Sequence, residues 1–191
     1  MKVNIKIALF EFIDLTESEW LVFSESFIVK HYNKGEYLLK ADDLCDYVGF
    51  VDKGFFTFFY LIEGVQHIRG FFFPNEFISN YSCFLLENKS KFNIQALEDS
   101  SVTLIHRDAL FRSYKKLPKV QELSRNIVEN LYIEVSEKYE SFFLKTAEER
   151  YLELINSRPT IIQRIPQYMI ASYLGITPEG LSRIRKRLAK K

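Results

Sequence analysis

The sequence predicts an α+β chain in three parts: a strand-rich N-terminal domain, one long central helix and a C-terminal helix-turn-helix. Three observations support this class. Glycines separate short runs of β-branched and aromatic residues between Phe27 and Arg107. The stretch from Pro118 to Leu144 contains no glycine, and its apolar residues recur at helical spacing. Two helix-start signals on either side of a glycine lie between Ile165 and Lys191.

Composition narrows the class of protein. The 191 residues are 47% apolar and 16% aromatic, which suffices for a sizeable core and excludes wholesale disorder. Cys45 and Cys83 belong to no Cys-x-x-Cys pair, so we expect reduced thiols, no metal site and no cofactor. No stretch approaches the roughly 20 apolar residues of a membrane span. We therefore expect a cytoplasmic chain with no membrane partner.

Charge is distributed unevenly along the chain. Residues 145–191 hold ten Lys and Arg against four Asp and Glu, a local net charge of +6, so the remainder carries −5. Because phosphate neutralisation depends on local charge, this basic end favours a nucleic-acid partner. A solvated basic tail is the alternative.

The first domain follows a short helical opening near Thr16 to Phe27. Its even glycine punctuation is typical of a sandwich or barrel, and Glu63-Gly64 is expected to form a hairpin turn. A buried sheet is the default explanation for its many phenylalanines, some of which are candidates to line a pocket.

The central helix carries two apolar stripes, about a third of a turn apart. The first stripe is Val120, Leu123, Ile127 and Leu131; the second is Val128, Tyr132, Val135 and Tyr139. Two stripes imply two partners, the chain's own barrel and a second copy of the helix in a homodimer. We name the first stripe as the dimer-helix candidate, although the pattern leaves open which stripe forms the seam. Burial of both stripes within one protomer is the alternative.

The C-terminal segment carries the most specific signal. Pro166 suits the first turn of a helix that runs to about Leu174, and Gly175 ends it. Thr177, Pro178 and Glu179 then provide an N-cap, a preset φ and a negative charge near the positive end of the helix dipole.

The second helix of this motif is amphipathic. Leu181, Ile184 and Leu188 share one side, available to pack on the first helix. A short capped helix with a cationic opposite face suits a DNA major groove about 12 Å wide. The candidate DNA-binding residues are Thr177, Pro178, Glu179, Gly180, Ser182, Arg183, Lys186, Arg187 and Lys190.

The chain resembles the Crp/Fnr regulators. Ala171, Gly175, Leu181 and Ile184 match their helix-turn-helix pattern, and the motif follows a barrel and a long helix as it does in that family. The resemblance implies an N-terminal β-roll (a double-stranded β-helix, jelly-roll-like), a dimerisation helix and a winged-helix-like DNA-binding domain. The implied boundaries are 1–117 for the β-roll sensor, 118–144 for the dimerisation helix and 145–191 for the DNA-binding domain.

The resemblance also implies a function. We expect a homodimeric, sequence-specific transcription regulator that binds a pseudo-palindromic site in double-stranded DNA, with RNA polymerase as a further partner. Glu179 and Arg183 take the positions of the family's base-contacting acid and arginine, whereas Pro178 departs from the polar or basic residue of many relatives.

The cyclic-nucleotide cassette of the family is altered here. Members that bind cyclic AMP use a Gly-Glu-Leu step and an Arg-Ser/Thr-Ala step, where this chain has Ser79-Asn80-Tyr81 and Ser90-Lys91-Phe92. We therefore expect no appreciable cyclic-nucleotide binding, since lysine lacks the planar fork of arginine. The alternative is a sensor protein whose β-roll binds a small ligand or a cyclic nucleotide that controls DNA binding. Candidate pocket residues are Phe71, Phe73, Ser79, Asn80, Tyr81, Ser90 and Lys91.

The sequence shows no motif of the common enzyme classes. There is no Gly-x-Ser-x-Gly, no Walker loop, no dinucleotide fingerprint and no metal-spaced histidine pair. We therefore expect no catalytic residues and a non-enzymatic function.

Overall fold

The structure, a computed structural model, describes residues 3–189 apart from the side chains of residues 3, 161 and 162. It confirms the predicted α+β class and the order of its parts. Two helices precede the strands: α1 (Val3–Phe10) and α2 (Glu17–Ser24). The strands are β1 (Phe27–Tyr32), β2 (Tyr37–Leu39), β3 (Tyr47–Lys53), β4 (Phe56–Ile62), β5 (Val65–Phe72), β6 (Phe77–Ile78), β7 (Asn93–Ala96) and β8 (Ser100–His106), with α3 (Tyr81–Leu86) between β6 and β7.

Helices make up the rest of the described chain. They are α4 (Arg107–Lys116), α5 (Pro118–Leu144), α6 (Ala147–Ser157), α7 (Ile161–Arg164), α8 (Gln167–Leu174) and α9 (Pro178–Leu188). The long helix α5 has the bounds expected from the sequence. Helices α1, α3, α4, α6 and α7 are additions to that expectation.

The strands form two four-stranded sheets. One has the order β1-β8-β3-β6 and the other β2-β7-β4-β5. Strands β1 and β8 are antiparallel, with Phe27 opposite Ile105 and Tyr32 opposite Ser100. Strands distant in sequence are neighbours in both sheets, and the two sheets agree with the sandwich or barrel that the even glycine punctuation predicts.

The core of the roll draws on both sheets. Phe50 and Val102 of the first sheet and Phe56 and Ile94 of the second are 0% exposed. Burying four such side chains contributes several kcal/mol, at about 1.5–3 kcal/mol each. The phenylalanines at these positions are thus core residues, as the default interpretation holds.

The β4–β5 hairpin turns where the sequence predicts. Glu63 and Gly64 both have positive φ, 51° and 80°. Two successive positive φ values define the type I′ turn that matches the twist of paired strands. Glycine is needed at the second position, since an L side chain would be strained there.

The described chain divides into two compact units. The first holds residues up to 58 together with 71–131; the second holds 59–70 together with residues from 132 onward. The second unit therefore combines the tip of the β4–β5 hairpin, the distal part of α5 and the C-terminal helices. The three-domain boundaries in chain order stay a prediction.

Candidate nucleic-acid interface

The turn between α8 and α9 has the conformation that its residues predict. Gly175 is left-handed (φ 72°, ψ 30°), and the Ile176 amide donates to the Ala171 carbonyl at 3.0 Å, which closes the end of α8. Thr177 then caps α9, where its Oγ1 accepts from the Gly180 amide at 3.1 Å. The connection thus provides hydrogen-bond partners for backbone groups at the end of α8 and at the start of α9.

Helices α8 and α9 share an apolar core. Ala171 of α8 and Leu181 of α9 are both buried, together with Ile170, Leu174 and Ile184. The methyl group of alanine allows the two backbones to approach closely. This confirms the packing role predicted for these aliphatic residues.

The opposite face of α9 is open to solvent. Its exposed members are Thr177, Pro178, Glu179, Ser182, Arg183, Lys186 and Arg187, with Gly180 half-buried. Lys190, also a candidate, lies outside the described residues. The structure therefore brings the described candidates together on one helix and its N-cap, with two long cationic side chains, Arg183 and Lys186, one turn apart.

Glu179 and Arg183 interact across the first turn of α9. The Glu179 backbone amide, the Thr177 hydroxyl and the charge of Arg183 hold the pKa of the Glu179 carboxyl below its usual value. The Arg183 side chain extends toward the N-terminus of the helix. Its Nη2 lies 3.9 Å from the position that a Cβ would occupy at Gly180. The charges of Glu179 and Arg183 thus influence each other at the exposed end of the helix.

Arg187 differs from its cationic neighbours because it has a carboxylate partner. Its Nη2 contacts Glu148 Oε2 in the first turn of α6. This ion pair links the last turn of α9 to α6 and offsets part of the positive charge. Arg187, a predicted DNA-binding residue, therefore also makes a structural contact that the sequence did not reveal.

Arg150 is a residue of this unit whose role the sequence reading missed. It donates to the carbonyls of Lys145 (2.6 Å) and Leu174 (3.0 Å), and its guanidinium lies 4.7 Å from the centre of the Phe142 ring. It thus joins the end of α5 to the end of α8. The signal available in the sequence was an arginine just after the Thr146 capping box, whose hydroxyl accepts from the Glu149 amide at 3.3 Å.

The burial of the first stripe of α5 differs from what a dimer seam requires. Val120 and Leu123 are 0% and 1% exposed and belong to the core of the β-roll, so they are unavailable to a second chain and their assignment to the dimer seam is wrong. Ile127 packs against the same core, and Leu131 is half-buried. The first stripe therefore serves the chain's own fold along much of its length.

The second stripe has the opposite character. Tyr132, Val135 and Tyr139 are 72%, 64% and 66% exposed, and Val128 is half-buried. Phe143 continues this apolar surface and packs edge-on against Tyr139, with ring centres 5.1 Å apart. An exposed aromatic and aliphatic row of this length is typical of an interaction surface.

The polar side chains of the predicted ligand pocket form hydrogen bonds inside the protein. Asn80 and Ser90 are 4% and 1% exposed, and Asn80 Nδ2 donates to Ser90 Oγ at 2.9 Å. Ser90 Oγ in turn donates to the Phe92 carbonyl at 2.7 Å, and Ser79 Oγ donates to the Tyr47 carbonyl at 3.1 Å. Their hydrogen-bonding capacity is therefore used inside the protein.

Aromatic rings fill the space beside these polar residues. The Phe58 ring lies 5.0 Å from that of Phe72 and 5.4 Å from that of Phe92. Tyr81 stacks on Phe84, and Phe71 packs against Phe73. Of the predicted set, Lys91 is exposed and the two phenylalanines are half-buried. Phe71 and Phe73 pack against each other, whereas the Asn80–Ser90 hydrogen bond joins the two polar segments of the set.

Within the described range, no group of three or more His, Cys, Asp and Glu side chains is placed to hold a metal ion. Cys45 and Cys83 are both buried and free, as expected for core thiols. Among residues 3–189, no helix has the length and apolar character needed to cross a membrane.

Comparison with known proteins adds to this picture. Residues 29–116 match the family model of the cyclic nucleotide-binding domain. The chain is 29% identical over 139 residues to the transcriptional regulatory protein btr of Bordetella pertussis, a match covering 67% of this chain and 57% of that protein. The match thus spans little more than half the length of that relative.

Two solved structures share the fold. A Crp/Fnr-family regulator from Eubacterium rectale has a TM-score of 0.71 at 18% identity, with 92% of this chain and 84% of that chain covered. FixK2 from Bradyrhizobium japonicum has a TM-score of 0.69 at 21% identity, with 86% and 85% covered. Residues 29–116 are thus similar to a cyclic nucleotide-binding domain, and the chain shares its fold with these two solved structures.

Proposed function

We propose that the chain is a sequence-specific regulator of transcription that binds double-stranded DNA as a homodimer. The observation that carries this proposal is the exposed face of α9, on which Arg183 and Lys186 project from a capped helix of 11 residues. Such a helix is about 16 Å long and fits into the major groove.

The residues of α9 suit different contacts. A guanidinium forms two parallel hydrogen bonds to guanine, so Arg183 is the main candidate for base reading, with the Glu179 carboxylate beside it as an orienting acceptor or a partner for cytosine. Lys186 and Arg187 lie further along the helix and suit phosphates, which confer affinity without sequence preference.

Selection from random duplexes tests this proposal. The full-length protein is expected to enrich a pseudo-palindrome whose half-sites lie about one helical turn apart. Affinity for that site should fall steeply as salt rises, because bound phosphates release counterions. Failure to enrich any sequence contradicts the proposal.

The homodimer is proposed to form through the second stripe of α5. Exposed rings and aliphatic side chains at Tyr132, Val135 and Tyr139 provide the apolar area, at about 25 cal/mol per Å² buried. The double variant Tyr132→Glu, Tyr139→Glu should sediment as a monomer. The matched control is Leu86→Glu, which changes an exposed residue of the β-roll and should leave the sedimentation of the wild type unchanged. A dimer that survives the double variant contradicts this interface.

A second candidate function is ligand sensing by the β-roll, which the match to the cyclic nucleotide-binding domain favours. We propose that cyclic nucleotides are not the effector, because Asn80 and Ser90 bind each other. Calorimetric titration with cyclic AMP and cyclic GMP should show no binding; tight binding of either overturns this assignment. Native mass spectrometry of the purified protein tests for another retained small molecule. RNA polymerase remains a proposed partner by family resemblance.

A further inference from the structure

The tip of the β4–β5 hairpin is hydrogen-bonded to the first helix of the helix-turn-helix. Strand β5 is an edge strand, so one side of its backbone lacks a neighbouring strand. Its Ile68 amide donates to Ser172 Oγ of α8 at 2.9 Å. A backbone donor of the sheet edge is thus satisfied by a side chain of α8.

The same hairpin is also hydrogen-bonded to the long helix α5. Lys138 of α5 is half-buried, and its Nζ donates to the Arg69 carbonyl of β5 at 2.8 Å. That Nζ also lies 4.2 Å from the centre of the Tyr173 ring of α8, within the range of a cation–π contact. Lys138 therefore touches the hairpin and α8 at once, from the helix that carries the second stripe.

These contacts leave the recognition surface open. Ser172 and Tyr173 belong to α8, whereas Ser182, Arg183 and Lys186 are exposed on α9. The hairpin therefore holds the helix-turn-helix without covering its DNA-binding face. Its effect is on orientation.

From this geometry we infer that Ile68, Arg69, Lys138, Ser172 and Tyr173 form a latch by which the β4–β5 hairpin sets the orientation of the DNA-binding helices relative to α5. Lys138 and Ser172 are its positioning residues. The inference rests on the proposed DNA-binding function, since orientation matters when two recognition helices must enter successive major grooves.

The chemistry of Lys138 supplies an independent signature. Burial and the nearby Arg69 guanidinium lower the pKa of Lys138 to about 8. The groups that interact with it are Arg69 on β5 and the Tyr173 ring on α8. The charged residue one turn earlier on its own helix is Glu134, which is exposed. Loss of its proton removes the cation–π contact, but it also relieves the cost of burying a charge and the repulsion from Arg69, and the lowered pKa shows that this relief is the larger effect. Because the pKa of Lys138 returns toward its ordinary value when the latch opens, the open form holds the proton more tightly, and the latch should tighten as pH rises through about 8.

Hydrogen exchange of the free protein tests the latch without DNA. Ser172→Ala should accelerate exchange of the Ile68 amide at least tenfold, Ser172→Thr should restore protection, and Lys138→Met should accelerate exchange along α8. Ser157→Ala is the matched control, because that hydroxyl bonds the Glu153 carbonyl of its own helix. Unchanged Ile68 exchange in Ser172→Ala overturns the latch.

DNA binding tests what the latch does. On the selected palindrome, Ser172→Ala and Lys138→Met should bind at least tenfold more weakly than the wild type and accept other half-site spacings, with the same half-site sequence. The ratio of wild-type affinity to that of Lys138→Met should rise several-fold between pH 7 and 9, whereas the ratio of wild-type affinity to that of Lys116→Met, at an exposed site, should stay constant. Wild-type affinity and spacing in both latch variants overturn the positioning role. Absence of any selected site refutes the proposed function instead, and the exchange experiment still decides the latch.

Discussion

Helix α9, the proposed recognition helix, and the segment from Ser79 to Phe92 are both positions where the family resemblance places binding residues, and their polar side chains have opposite environments. On α9 the polar side chains point outward, and Arg183 and Lys186 are exposed. In the segment from Ser79 to Phe92, Asn80 and Ser90 are buried and hydrogen-bonded to each other. A polar side chain is available to a ligand only if its donors and acceptors are not already used inside the protein. The polar side chains of α9 meet this condition better than Asn80 and Ser90 do.

Arg183→Ala gives the largest expected effect on the exposed side of this comparison. Loss of a bidentate base contact should cost about 1–3 kcal/mol of discrimination, which is roughly 5- to 150-fold in affinity for the selected site. The change should relax sequence preference at one position of each half-site. Quantitative binding to single-base variants of the site measures this.

Lys186→Ala is its matched control on the same face. We expect it to weaken all sequences alike and to lower the salt slope by about one. Equal preference profiles for the two variants would contradict the assignment of Arg183 to base reading.

Asn80→Ala tests the buried side. The Ser90 hydroxyl loses a buried donor and the Cys83 amide loses its cap, so the free energy of unfolding should fall by about 1–3 kcal/mol. Chemical denaturation measures this, and DNA affinity should remain at the wild-type value. Asn130→Ala, at an exposed residue of α5, should change stability much less. A stability loss in Asn130→Ala as large as that of Asn80→Ala would argue against the buried role.

Gly180→Ala distinguishes packing from DNA approach. A Cβ there meets Thr177 Oγ1 at 3.5 Å and Ile176 Cβ at 3.6 Å, ordinary contact distances. Replacement should therefore stabilise α9 by up to about 1 kcal/mol. If the backbone lies against DNA at this point, affinity for the selected site should fall although thermal stability rises. Unchanged affinity would show that the glycine leaves room for the methyl group in the complex.

Glu179→Gln should give the smallest effect. The pKa of Glu179 is lowered by its backbone amide, Thr177 and Arg183, so its charge stabilises the folded state at neutral pH. That stabilisation is lost as pH falls through the lowered pKa. The Tm difference between wild type and Glu179→Gln should shrink on acidification from pH 7 to 3. A difference independent of pH would contradict a role for the charge.

Local patterns account for much of the fold. The caps at Thr16 and Thr177, the turn at Glu63-Gly64 and the bounds of α5 follow from short-range rules, because the residues that decide them are neighbours in sequence. The buried apolar face and the exposed cationic face of α9 also follow from the helical spacing of its residues. These features need no knowledge of tertiary contacts.

Long-range contacts account for what the sequence did not reveal. Stripe spacing placed Val120 and Leu123 on one face, yet it contains no information about whether that face meets the β-roll or a second chain. The Asn80–Ser90 and Arg187–Glu148 contacts join residues 10 and 39 positions apart. Helix α4 was missed because its Arg107–Lys116 segment is short and directly follows β8, whose buried core strand dominates the local pattern.

Arg150 determines where the proposed DNA-binding helices can be cut for transfer to another protein. The segment from Thr146 onward begins with a capping box and contains both helices of the helix-turn-helix. Residue 145 therefore looks like a suitable domain boundary for a fusion protein. However, the Arg150 guanidinium donates to the Ser141 carbonyl of α5 and, at 2.6 Å, to the Lys145 carbonyl directly after that helix. A fusion that begins at Thr146 would leave a partly buried cation without those acceptors. Grafts onto a new dimerisation helix should therefore retain the last turn of α5, including Phe142.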